Sequence, residues 1–274
     1  MGVVLGSMLA LPFFLLAGLC LPLFPLSIAV NRVVQRQPTD AGDRLAQPGT
    51  KALVLVALPV AGVALLAVGR WLAGDSGGWL VSAFALWGGL TSLLYAFRLL
   101  SARDGQIWIG QLYTSALALV WVGVAHDVPP LLPALGLGAS LLPLWFLLDG
   151  LTRRFGIART GLYPGLALRM PRFAALFIVA VLVAVGVPFS PGFFAIADLA
   201  FGGIGANELL TLVPLSLAWL LWTWAGINLL AGIVFGEPRA DLDYVDLDGR
   251  AVLLHGSGMG ALALFGLVLL EGML

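Results

Sequence analysis

From Phe173 to Val187 the chain is apolar without interruption; Pro188, Pro191 and Gly192 then break the run, and a second, shorter apolar stretch ends at Asp198. A basic, proline-bounded approach, Arg169-Met170-Pro171-Arg172, leads into it. In hydrocarbon each unsatisfied backbone group costs several kcal/mol, so the groups freed by such a break have to be buried against protein or water. Interrupted helices of this kind are also where polar sites are built inside membranes. The stretch 165–200 therefore fixes both the solvent of the fold and the first place to look for a site.

The rest of the chain fits that solvent. Hydrophobic residues make up 61% and charged residues 10%, against roughly 45–50% and 25% in soluble domains. A spanning helix needs about 20 apolar residues. Eight segments meet the test, near 3–30, 52–73, 78–100, 107–126, 129–150, 172–190, 208–235 and 251–272. Residues 193–203 are too short to span and read as the second half of a broken sixth helix. The expectation is an all-α, polytopic membrane protein with a single transmembrane domain over 1–274: an N-terminal helix and basic loop to residue 50, then the remaining helices. The first apolar run is too long for a signal-peptide core and has no basic residue before Arg32, so it reads as a retained helix. Cys20 is the single cysteine and excludes an internal disulfide. A net charge of zero gives no footprint for nucleic acid.

Charge placement orients the helices. With the N-terminus outside, thirteen basic residues, from Arg32 and Lys51 through Arg153, Arg154, Arg159 and Arg172 to Arg250, fall in cytoplasmic loops, and only Arg70 falls on the other face. By the positive-inside rule, both termini face away from the cytoplasm; the expected location is a bacterial or archaeal inner membrane.

Ionisable residues within spans usually mark function, and here they are scarce. Asp198 is the foremost candidate for an ion site. It could equally cap the break. Asp149 stands four residues before Arg153, the spacing of a helical ion pair. His126 with Asp127 reads as an interfacial polar pair or a proton entry group. His255, beside Gly256, Ser257, Gly258 and Gly260, reads as a packed histidine or a titrating one. Glu208 with Asn207 reads as a helix cap before a path residue. Arg70 and Arg98 sit near helix ends, where they can snorkel. The sole lysine, Lys51, reads as a loop residue. Asp241, Asp243, Asp246 and Asp248 lack the closing glutamate of a calcium loop; with Arg153, Arg154 and Arg159 they read as docking groups for partner subunits. Trp219, Trp222 and Trp224 read as anchors against a neighbouring subunit. No paired-histidine zinc motif, nucleotide loop or nucleophile–base spacing occurs, so the residues point to no metal, catalytic group or cofactor.

Five stretches in order resemble the antiporter-like membrane subunits of respiratory complex I, the related membrane hydrogenases and Mrp-type cation/proton antiporters. They are Leu86–Trp108, Pro143–Thr160, GLALRMP at 165–171, GVPFSPGFF at 186–194 and FGEPR at 235–239. Members of that family are longer and built from two inverted repeats; most of the first repeat is missing here. The family's midplane lysines, histidines and acids are also depleted. Gln106 stands in place of a lysine, Gly138 and Leu142 in place of a histidine and a lysine, and Ala195, Ile196 and Ala197 leave Asp198 as the last acid of its motif. The resemblance implies a non-catalytic subunit of a proton- or cation-translocating complex, contributing a partial ion path beside other membrane subunits and a peripheral redox or zinc-bearing subunit. A purely structural anchor, and a membrane subunit for inorganic-carbon uptake, are the alternatives.

Overall fold

The computed structural model describes residues 2–35, 47–205 and 209–271. Among them the chain is all-α; strand-type pairing is limited to one isolated bridge between Asp104 and Arg159. The helices are α1 (Gly2–Cys20), α2 (Ser27–Val34), α3 (Pro48–Ala73), α4 (Gly78–Leu100), α5 (Gly105–Val124), α6 (Leu131–Ala139), α7 (Leu142–Phe155), α8 (Leu166–Arg169), α9 (Pro171–Ala184), α10 (Pro191–Gly205), α11 (Leu209–Ile233) and α12 (Gly249–Glu271). Among the described residues, six helical stretches are long and apolar enough to cross a membrane: 49–73, 78–100, 105–124, 131–155, 211–233 and 249–271. The protein is an integral membrane protein.

Three of the expected spans are interrupted. The break after α9 falls where the prolines place it, with α9 ending at Ala184 and α10 starting at Pro191. The expected short segment 193–203 is a full 15-residue helix. The first span, expected as one helix, divides into α1 and α2 around a turn at 21–26 that contains Pro22 and Pro25, the latter after a cis peptide bond. Its freed backbone groups are taken up by side chains of neighbouring helices. The Trp121 indole donates to Leu21 O at 3.0 Å and the Trp87 indole to Phe24 O at 2.6 Å, while Phe24 N donates to Thr91 Oγ1 at 3.2 Å. The fifth span divides at Ser140–Leu141, where Pro143 removes a backbone donor from the first turn of α7.

Helix α5 is the axle. Nearly all of its residues are buried, and α4 lies along it in close contact. A Cβ on Gly88 would stand 2.5 Å from Ala118 O, so only glycine permits that approach. Phe14, Phe84 and Trp121 tie α1, α4 and α5 together, with ring centroids 5.2 and 5.1 Å apart in successive pairs. Helices α3 and α11 flank this centre; α12 is peripheral, packed mainly on α10 and α9.

Candidate functional site

The breaks at Ser140 and at 185–190 meet. Gly192 N, in the first turn of α10, donates to Ser140 Oγ at 2.8 Å, and Ser140 Oγ donates to Gly136 O at 2.8 Å. One hydroxyl thus satisfies an orphan amide of α10 and a carbonyl at the end of α6. Gly136 sits so close to the second break that a Cβ there would lie 2.8 Å from Pro191 O. Ser190 serves the same helix start, accepting from Phe193 N at 3.1 Å. Pro191 and Gly192 are buried in this junction and Pro188 is exposed beside it.

Neutral polar groups occupy two faces of α5, one toward α2 and one toward α4 and α11. Thr114 Oγ1 lies 3.2 Å from Asn31 Oδ1 and 3.0 Å from Gly110 O. A Cβ on Gly110 would come within 2.7 Å of the Gln35 amide and 2.9 Å of Asn31 Oδ1, so the missing side chain makes room for both amides. Further along, the Trp222 indole donates to Ser115 Oγ at 2.8 Å, and Ser115 Oγ donates to Ser92 O at 2.8 Å. Gln106 Oε1, Trp108 Nε1, Gln111 Oε1, Tyr113 Oη and Trp145 Nε1 are buried with no hydrogen-bond partner among the described residues. Each such atom costs about 1–3 kcal/mol unless water or another chain serves it. Four of the five lie on α5 and the fifth, Trp145 Nε1, on α7.

Lys51 belongs to this region. The expectation of a loop residue is corrected: it stands in the first turns of α3, 3% exposed, with its ammonium 4.8 Å from the centre of the Trp145 ring. Lys51 and Arg70 are nineteen residues apart on one helix, about 28 Å at 1.5 Å per residue, which sets them near opposite faces of a hydrocarbon core of about 30 Å.

The remaining candidates lie elsewhere. Asp198 is half-buried on α10, with no hydrogen bond or ion pair among the described residues. It is one turn from Gly202, whose α-carbon abuts His126; a Cβ there would lie 3.7 Å from His126 Cβ. His126, past the end of α5, hydrogen-bonds through Nε2 to Thr211 Oγ1 of α11. His255 is half-buried on α12, away from that group. Asp149 accepts from Arg153 Nε at 2.7 Å, the pair its spacing predicts. Glu208 lies outside the described residues. Among the described residues no group of three or more His, Cys, Asp or Glu is placed to hold a metal ion.

No family model matches the chain. An uncharacterized protein of Aquifex aeolicus is 24% identical over 159 residues, 58% of this chain and 65% of that protein. Three-dimensional similarity reaches much further. A chain of respiratory complex I from Thermus thermophilus superposes with TM-score 0.82 over 95% of this chain, at 23% identity. A chain of the Mrp complex from a Dietzia species gives 0.71 over 98%, at 15% identity, and one of an archaeal membrane-bound sulfane sulfur reductase gives 0.72 over 98%, at 12%. The fold is that of the antiporter-like subunits. This chain spans 55%, 60% and 62% of the lengths of those three chains.

Within the antiporter-like fold the two charged loops are engaged with the chain itself. Asp246 accepts from Arg172 N and Phe173 N at 3.0 Å each, capping α9 from the far side of the sequence. Burial pushes its carboxyl up, but three backbone amides and the Arg172 guanidinium outweigh that and hold it below the usual carboxylate range. Asp248 caps α12 through Ala251 N at 2.9 Å, Arg154 donates to Val245 O, and Asp241 pairs with Arg239 at 2.5 Å. Asp243, Arg153 and Arg159 are exposed. Of the three tryptophans expected to anchor a neighbour, Trp222 is corrected: it is fully buried between α11 and α5, whereas Trp224 is exposed. The polar groups of α5 escaped the sequence reading because they are neutral. The signal was their density: Gln106, Gln111, Tyr113, Thr114 and Ser115 within ten residues of an otherwise apolar segment.

Proposed function

We propose that this chain is a shortened antiporter-like membrane subunit of a multi-subunit energy-converting complex, supplying part of an ion path and leaving the rest to a neighbouring membrane subunit. The observation that carries the reading is the set of buried polar atoms on α5 and α7 without hydrogen-bond partners among the described residues, inside a fold shared with complex I, Mrp and sulfane sulfur reductase chains. Neutral side chains of this kind hold and order water without themselves taking up charge. Lys51 and the Asp104 cap of α5 toward one end, and the half-buried Asp198 on α10, are the ionisable groups offered to such a route. Thirteen of fourteen basic residues on one side favour an inner-membrane location with both termini outside. The exposed Arg159 and Asp243, with Arg153 exposed beside its partner Asp149, are the docking groups proposed for a peripheral redox or zinc-bearing subunit.

The test uses the assembled complex, purified in mild detergent and reconstituted. Gln111→Leu and Asp198→Asn are each expected to slow proton-coupled turnover about tenfold, some 1.4 kcal/mol of barrier, without loss of assembly. Unchanged turnover in both would leave a structural anchor. Co-purifying iron–sulfur or flavin subunits would mark a respiratory assembly, and a zinc protein would mark inorganic-carbon uptake.

A further inference from the structure

Two cavities adjoin at the Arg70 end of the bundle. One is an apolar groove of about 600 Å³ between α4 and α11, floored by Gly89, Val122 and Pro214, with Ser82, His126 and Thr211 at one end. The other, about 340 Å³, is polar and contains Arg70, Asp127 and the first turn of α4. Ser82 and Ala125 line both, so the polar cavity and the apolar groove adjoin at these two residues.

We infer that this site holds a single phospholipid with a zwitterionic, primary-amine headgroup. The dimensions select the occupant. Along α4 the groove runs from Ser82 to Leu93, eleven residues or about 16 Å, which is the depth of one leaflet, half of about 30 Å. An acyl chain anchored at the membrane face fills that length; a partner's transmembrane helix would need a groove running twice as far. The mouth selects the headgroup. Arg70 and Asp127 pair at 2.9 Å, with side chains 40% and 87% exposed, so both charges are open to a ligand. A phosphate placed between Arg70 and the N-terminal turn of α4 meets a guanidinium and the positive end of a helix dipole. The ammonium beyond it falls to the Asp127 carboxylate. His126 and Thr211 hydrogen-bond to each other where mouth and groove meet, the depth at which the ester groups of such a lipid would lie.

Native mass spectrometry of the delipidated full chain, titrated with phosphatidylethanolamine or with phosphatidylglycerol of the same acyl length, tests the inference. One phosphatidylethanolamine is expected to bind at least about tenfold more tightly than phosphatidylglycerol. Ala85→Phe and, independently, Leu90→Trp on the exposed rim fill the groove and are expected to lower occupancy by both lipids about tenfold. Asp127→Asn is expected to abolish the preference while keeping the lipid. Equal binding of the two lipids by the unaltered chain, or undiminished binding by the groove-filling variants, overturns it. So does a photo-cross-link from position 90 to a protein helix in native membranes.

Discussion

Lys51 carries a charge where composition gives no hint of burial. It follows a polar stretch and two residues of weak helix propensity, Gly49 and Thr50, so its neighbours in sequence read as loop. Its neighbour in space, Trp145, is ninety-four positions away, and no local pattern announces that contact. A desolvated cation–π pair is worth about 2 kcal/mol, so Lys51→Met should lower chemical-denaturation stability by about that amount, with Lys51→Arg retaining most of it; equal stability of all three forms would remove the ammonium from the packing. Asp246 is the opposite case, visible in sequence as an acid but not as a cap. Its folded-state pKa lies below the unfolded one, so its stabilisation of the α9 start is full above the unfolded value and is lost as pH falls through the folded value. Asp246→Asn should therefore cost little at low pH and most near neutrality. A pH series of thermal midpoints checks this, and a constant difference at every pH would contradict it.

Among the elements, the prolines at 188 and 191 declared one break, and two others went unread. The difference lies in what satisfies the chain afterwards. Pro22, Pro25 and Pro143 are compatible with a continuous membrane helix if the neighbouring turns keep their hydrogen bonds; here Trp121, Trp87 and Thr91 accept or donate to the freed groups at 21–24, and Ser140 does so at the centre. Those partners come from α4 and α5, and from α10 meeting the end of α6, so the breaks become legible only once the helices are packed. Ser140 is the joint between two of them. Ser140→Ala leaves Gly192 N buried without its acceptor, at a cost of about 1–3 kcal/mol, and should loosen α10 relative to α6. Faster amide exchange at 190–195 in Ser140→Ala than in the unaltered chain is the expected sign, with Ser140→Thr, which keeps the hydroxyl, closer to normal. Exchange confined to α9 would show that the joint bears no such role.

For the whole molecule, the eight apolar stretches and the five family-like motifs were enough to set an all-α membrane fold, and the fold neighbours agree over nearly the full chain. What the sequence could say of transport came from inventory: fourteen basic residues, almost all in loops, two histidines and one lysine. Packing adds Lys51, the Asp104 cap at the start of α5, Tyr113 near Cys20 and the neutral polar groups of α5 to that inventory. Moving a proton about 30 Å along water needs groups that accept and release it, and Gln106, Gln111, Thr114 and Ser115 cannot ionise. On the function proposed above, a neighbouring subunit provides the rest. The full chain reconstituted alone in liposomes is accordingly expected to leave an imposed pH gradient decaying at the rate of empty vesicles, while the co-purified assembly dissipates or builds one and Gln111→Leu slows it. A dye-reported collapse of the gradient by the isolated chain, at the pace of the assembly, would mean that the chain conducts unaided and that the division of labour proposed here is wrong.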